Sequence, residues 1–137
     1  MNIFMSLHQD TDLGLLVLRV VIGVIFLVHG LQKRAMWKMQ ANDKLPAGLL
    51  NILRLLSICE PLGGIAMVVG FLTQLAALGL GVIMLGAINL KGRTRKVPFA
   101  PRDQAGWEFD LMILGGVVAL FFAGAGAYAL DRLWFGL

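Results

Sequence analysis

The chain has 137 residues, 58% hydrophobic and only 15% charged, with a mean hydropathy of +0.81. Soluble domains average roughly half apolar and about a quarter charged, so the composition argues against a water-soluble domain and for a single membrane-embedded one. The net charge of +4 comes from basic residues gathered between long apolar blocks, a pattern that reports topology before it reports nucleic-acid binding. No nucleic-acid partner is expected; the lipid bilayer is.

The N-terminal leader, MNIFMSLHQDTD, contains no Lys or Arg. The first apolar block, 13–31, reads LGLLVLRVVIGVIFLVHGL. As a helix it is about 28 Å long, close to the roughly 30 Å of bilayer hydrocarbon. No small-x-small cleavage site follows it, so it reads as an uncleaved first span. The next uncharged stretch, 61–90, is too long for one ordinary span, and its natural break is Gly70-Phe71-Leu72-Thr73-Gln74. Gly70 is placed to end one helix and Thr73 to cap the next. Two spans, 50–70 and 73–90, result. A fourth, 108–128, reads EFDLMILGGVVALFFAGAGAY. The fold class expected is an all-α, four-helix transmembrane bundle.

Charge supports four spans over three. Lys33, Arg34, Lys38 and Lys44 follow span 1, and Lys91, Arg93, Arg95, Lys96 and Arg102 precede span 4. Four spans put both basic loops on one side, which the positive-inside rule makes cytoplasmic, with both termini outside. Trp37, Trp107 and Trp134 fall at span ends, where interfacial aromatic residues belong. Small residues at helical spacing, Gly23 and Gly30, Ala77 and Gly81, and Gly115, Ala119 and Ala123, are expected to let helices approach closely in lipid.

Ionisable residues inside a membrane are costly and tend to pair. Counting depth from the span ends puts Arg19 and Glu60 within about 5 Å of one level, so an Arg19–Glu60 ion pair between spans 1 and 2 is expected. Pro61 withdraws a backbone donor from the carbonyl of Ser57, and the Ser57 hydroxyl or a water is expected to satisfy it. A second polar group, His29, Glu108 and Asp110, gathers at the cytoplasmic ends of spans 1 and 4. Negative charge there also suits the start of a helix, and Lys33, one turn after His29, is placed to neutralise Glu108. With two histidines, His8 and His29, and one cysteine, Cys59, the chain carries no haem or metal-binding motif.

The motifs LRVVIGVIFLVHGLQK, EPLGGIAMVVGFLT and GWEFDLMILGG, in that order, resemble those of the DoxX family of small four-helix membrane proteins, across nearly the whole chain. Asp110 departs from the family pattern, in which an aromatic residue and then proline often follow the position of Glu108. The resemblance implies a cytoplasmic-membrane location and a link to quinone-coupled respiration, since relatives include subunits of quinol oxidase or thiosulfate:quinone oxidoreductase. The family's polar markers fall on Arg19, His29, Glu60 and Glu108, which become the candidate residues for a quinone. The implied role is an accessory or anchor subunit of a redox system, with a soluble oxidoreductase or another membrane subunit as partner. A noncatalytic scaffold and, less well supported, a small transporter or proton pathway are the alternatives that buried charge also allows.

Overall fold

A computed structural model describes residues 10–136; His8 and the rest of residues 1–9 lie outside that range. Helix α1 spans Thr11–Gln32 and runs directly into a 3-10 turn, Lys33–Lys38. Helix α2 spans Ala47–Val69, α3 spans Thr73–Asn89 and continues as a π-turn over Leu90–Thr94, and α4 spans Trp107–Ala123. A short helix, α5, covers Leu130–Phe135. With their terminal turns, α1, α2 and α3 are long and apolar enough to cross a membrane. Helix α4, at 17 residues, covers about 26 Å. This is the helical membrane bundle that the hydropathy blocks predict.

Its surface is that of a protein dissolved in lipid. Phe122, Leu75, Leu62, Val82 and Met112 are all well exposed, on different helices, whereas a soluble monomer rarely exposes large contiguous apolar patches. The core between the helices is made of Ile22, Phe26, Met67, Ala77, Leu80, Met84, Ile113, Val117 and Leu120.

The bundle is built as two hairpins, α1 against α2 and α3 against α4. Glycines set how closely the first pair approaches. A Cβ placed on Gly64 would come within 2.6 Å of the Gly23 carbonyl oxygen, and one on Gly23 equally near the Gly64 oxygen. Further along, the Pro61 ring lies against Gly30, again with no room for a Cβ. Gly63 meets Leu80 of α3, and Gly116 of α4 meets Ile22 of α1. The expected stripe on α4 is displaced by one residue. Gly115 faces open space and Ala119 and Ala123 are exposed, because adjacent helical residues point about 100° apart.

These crossings overturn the expected Arg19–Glu60 pair. Gly23 opposite Gly64, and Gly30 opposite Pro61, place Glu60 level with residue 30 of α1. Arg19 is eleven residues earlier, about 16 Å away along the helix axis. Depth counted from span ends assumes that both helices start at the same level, and the glycine contacts do not allow it.

At the α2–α3 turn, Gly70 adopts a left-handed conformation with φ 70°. The Gly70 amide donates to Met67 O and the Phe71 amide to Ala66 O, at 3.3 and 2.9 Å, a Schellman-type ending. Thr73 does not cap α3, however. The residue preceding the helix is Leu72, with φ 50°, and the cap comes from the far end of the chain. Asp131 Oδ1 accepts from the Leu72 amide (2.5 Å) and Oδ2 from the Thr73 amide (2.8 Å). The Asp131 amide in turn donates to Gly70 O at 2.8 Å.

That connection exists because α4 ends at Ala123, not at the expected Tyr128. Gly124 and Gly126 take φ values of 81° and 77°, conformations that favour glycine, and the chain turns back over the end of the bundle. There the Ala127 amide donates to Asp12 Oδ1 at 2.8 Å, tying the segment to the start of α1.

Candidate functional site

The polar residues separate to the two ends of the bundle. At the end formed by the α2–α3 turn, Arg19 is completely buried. Its Nη1 donates to Met67 O (3.2 Å) and its Nη2 to Tyr128 O (2.8 Å), with the negative charge of Asp131 nearby. Gly70 presses against the same guanidinium and has no space for a Cβ. One arginine therefore joins α1, the end of α2 and the returning chain after α4. Arg19 Nε and the Thr73 hydroxyl are buried there without hydrogen-bond partners.

At the opposite end, where both basic loops lie, Glu60 has a side-chain exposure of 3% and pairs with Lys33 at 2.5 Å. Lys33 begins the 3-10 turn after α1, three residues beyond the Gly30–Pro61 contact, so its four-carbon stem reaches back to the buried carboxylate. This replaces the expected use of Lys33 against Glu108. The second hairpin repeats the device. Lys91, in the π-turn after α3, lies 2.8 Å from Asp110 Oδ2, and the Asp110 side chain is almost fully buried. The contact is an ion pair and not an aligned hydrogen bond, since that oxygen has no bond of good geometry.

The other two candidates sit beside these pairs. His29 is exposed, with its ring 6.1 Å from that of Phe109 at a tilt of 31°. Glu108 Oε1 accepts from the Gly106 amide at 3.3 Å, closing the first turn of α4, while Oε2 is buried without a hydrogen-bond partner. The packing of Gly106 against that oxygen leaves no room for a Cβ. His29, Glu60 and Glu108 thus share one end of the bundle, and Arg19 is apart from them.

Ser57 and Trp37 are participants that sequence reasoning assigned other roles. Trp37 Nε1 donates to Ser57 Oγ at 2.9 Å, and the Ser57 hydroxyl donates to Arg54 O at 2.6 Å. The hydroxyl therefore serves the carbonyl of Arg54 rather than the one released by Pro61. Arg54 holds the same corner, donating to Met36 O and Met39 O at 3.2 and 2.9 Å, with its guanidinium 5.8 Å from the Trp37 ring. A lipid-facing groove of about 480 Å³ opens beside this corner, lined by Trp37, Ser57, Ile58, Pro61 and Leu62 among others.

A helical membrane bundle with glycine crossings and charge concentrated at one end agrees with the motif order noted above. The DoxX family profile matches residues 14–92, more than half of the chain. The chain belongs to the DoxX family. It is 28% identical over 134 residues to "Putative oxidoreductase CatD" of Bacillus subtilis (strain 168), an alignment covering 94% of this chain and 92% of that protein. It is also 29% identical over 145 residues to "Uncharacterized membrane protein Rv3486" of Mycobacterium tuberculosis (strain ATCC 25618 / H37Rv), covering 92% and 84% of the two chains. No solved structure matches it. In DoxX terms, the profile takes in Arg19, His29 and Glu60, while Glu108 lies beyond its end.

Proposed function

We propose that this DoxX protein is an accessory or anchor subunit of a redox system in the cytoplasmic membrane, with its basic-loop end on the cytoplasmic side and a quinone as its ligand. The observation that carries this reading is the orphaned Glu108 Oε2, buried at the same end as His29 and the Glu60–Lys33 pair. A buried carboxylate oxygen without a donor is expensive, and a proton on it or a donor from a ligand satisfies it. A quinol hydroxyl would donate to that oxygen, and a quinone oxygen would accept from it once it carries a proton, which supports a quinone as the ligand. When bound, a quinone supplies an acceptor for electrons and protons. His29 would pass a proton to or from the ligand, and Glu108 would hold one at its free oxygen. Lys33 supplies the countercharge for the buried Glu60 side chain. A soluble oxidoreductase or another membrane subunit would bring the electrons, and the name of the Bacillus subtilis relative supports that redox assignment.

Arg19 has a different place in this proposal. Its Nη1 and Nη2 each donate to a backbone carbonyl and its side chain is completely buried at the far end of the bundle, so it is assigned to holding helices and not to the ligand. The same observation favours a second reading, a noncatalytic scaffold in which buried polar groups only fix helix register.

Purification from native membranes separates the two. The redox reading expects co-extracted quinone, reduced at least several-fold in Glu60→Gln, together with a co-purifying oxidoreductase or membrane subunit. Protein free of quinone in both forms, with no such partner, would leave the scaffold.

A further inference from the structure

Each hairpin of the bundle ends, on the basic-loop side, in a short non-α turn whose first two cations do different things. In the first hairpin Lys33 goes inward to Glu60, and Arg34 lines the outer groove together with Trp37, Ile58, Pro61, Leu62 and Ile65. In the second, Lys91 goes inward to Asp110, and Arg93 lines a groove of about 490 Å³ with Trp107, Asn89, Ile88 and Leu85. Residues one or two apart on a helix point roughly 100–200° apart, so one cation of each pair faces the bundle and the other faces outward. Arg34 and Arg93 are exposed, and neither makes a hydrogen bond or ion pair among the described residues.

The tryptophan in each groove is fixed. Trp37 is held by its hydrogen bond to Ser57, and Trp107 packs edge-on against Phe99 with ring centroids 4.4 Å apart. Each groove thus offers an unpaired guanidinium and a rigid indole at its mouth, above an apolar channel that faces hydrocarbon. An orientation signal requires only that enough basic residues lie on one side. It does not require an arginine at the mouth of a groove, twice.

We propose that these two grooves are binding sites for anionic phospholipids, with the lipid phosphate on Arg34 or Arg93 and an acyl chain along Ile58–Leu62–Ile65 or Leu85–Ile88. Guanidinium suits phosphate through its forked donors, and the apolar lining suits the chain. The proposal is independent of the redox reading, since neither groove cation belongs to the Glu60, His29 and Glu108 set.

The test is native mass spectrometry of the full-length protein, released from detergent containing equal amounts of phosphatidylglycerol and phosphatidylcholine. Wild-type protein is expected to retain up to two phosphatidylglycerol molecules. Arg34→Gln and Arg93→Gln should each lose one, with the phosphatidylglycerol-to-phosphatidylcholine ratio at that site falling about fivefold. Leu62→Trp, which fills the first channel and leaves Arg34 in place, should lose the same lipid as Arg34→Gln and serves if an arginine variant fails to fold. Unchanged ratios in these variants would overturn the proposal. So would an equal loss in Lys38→Gln, which would mean diffuse surface charge. Displacement of the lipid preference by millimolar inorganic phosphate, with no effect of Leu62→Trp, would mean a headgroup-only anion site and would overturn it too.

Discussion

At one end of the bundle Arg19 is sealed from solvent, its guanidinium on two backbone carbonyls and its neighbour Asp131 capping α3. At the other, Glu60 and Asp110 are each met by a lysine that reaches in from a turn where it keeps 23% and 30% of its side-chain exposure. The first arrangement connects helices through backbone atoms that cannot change protonation. The second consists of side-chain ion pairs with access to the outside, next to an exposed histidine and a carboxylate oxygen without a hydrogen-bond partner. The contrast separates buried charge bonded to backbone from buried charge paired to partly exposed side chains, and the proposed function rests on the second.

The largest effect should come from breaking the sealed end. Arg19→Met would leave the Tyr128 carbonyl without a donor, leave Met67 O with the Gly70 amide alone, and leave Asp131 without its positive neighbour. An orphaned buried acceptor costs about 1–3 kcal/mol and the lost packing of the arginine stem adds to it, so thermal unfolding in detergent should show a loss on the order of 2–4 kcal/mol. Removing Glu60 as well should not restore it, because Glu60 is not the partner.

Next is the pair at the basic-loop end. Lys33→Met strands Glu60, and the loss should stay below the roughly 3–5 kcal/mol typical of a fully buried pair, because Lys33 is partly exposed. Lys33→Met combined with Glu60→Gln should recover most of it. Additive losses in that double-mutant cycle would show that the pair is not coupled and would dissolve the distinction between the two ends. A smaller effect is expected for Asp131→Ala, which removes the cap of α3 and should cost about 1–2 kcal/mol, read from the same unfolding measurement.

Much of the architecture could be read from the sequence, since hydropathy blocks and the Gly70 turn mark where helices begin and end. What escaped was register. Glu60 and Arg19 appear level when counted from span ends, yet Gly23–Gly64 and Gly30–Pro61 decide how the helices slide past one another, and no residue type announces which glycines meet. Arg19's acceptors are backbone carbonyls, which leave no mark in a sequence. The cap of α3 by Asp131 joins positions 58 residues apart and depends on the chain turning back at Gly124 and Gly126. In the candidate site, sequence placed His29, Glu108 and Asp110 at one end correctly. It missed that Lys33 and Lys91 would each take a buried acid, although both follow directly on a long apolar helix, where a lysine stem can fold back.

His29→Ala tests the central claim most directly, because it touches the accessible end without disturbing its ion pairs. The unfolding midpoint should correspond to a change within about 0.5 kcal/mol, while the quinone extracted with the purified protein should fall several-fold relative to wild type. An unchanged quinone content with unchanged stability would contradict the account and leave the basic-loop end, like the Arg19 end, as structure alone.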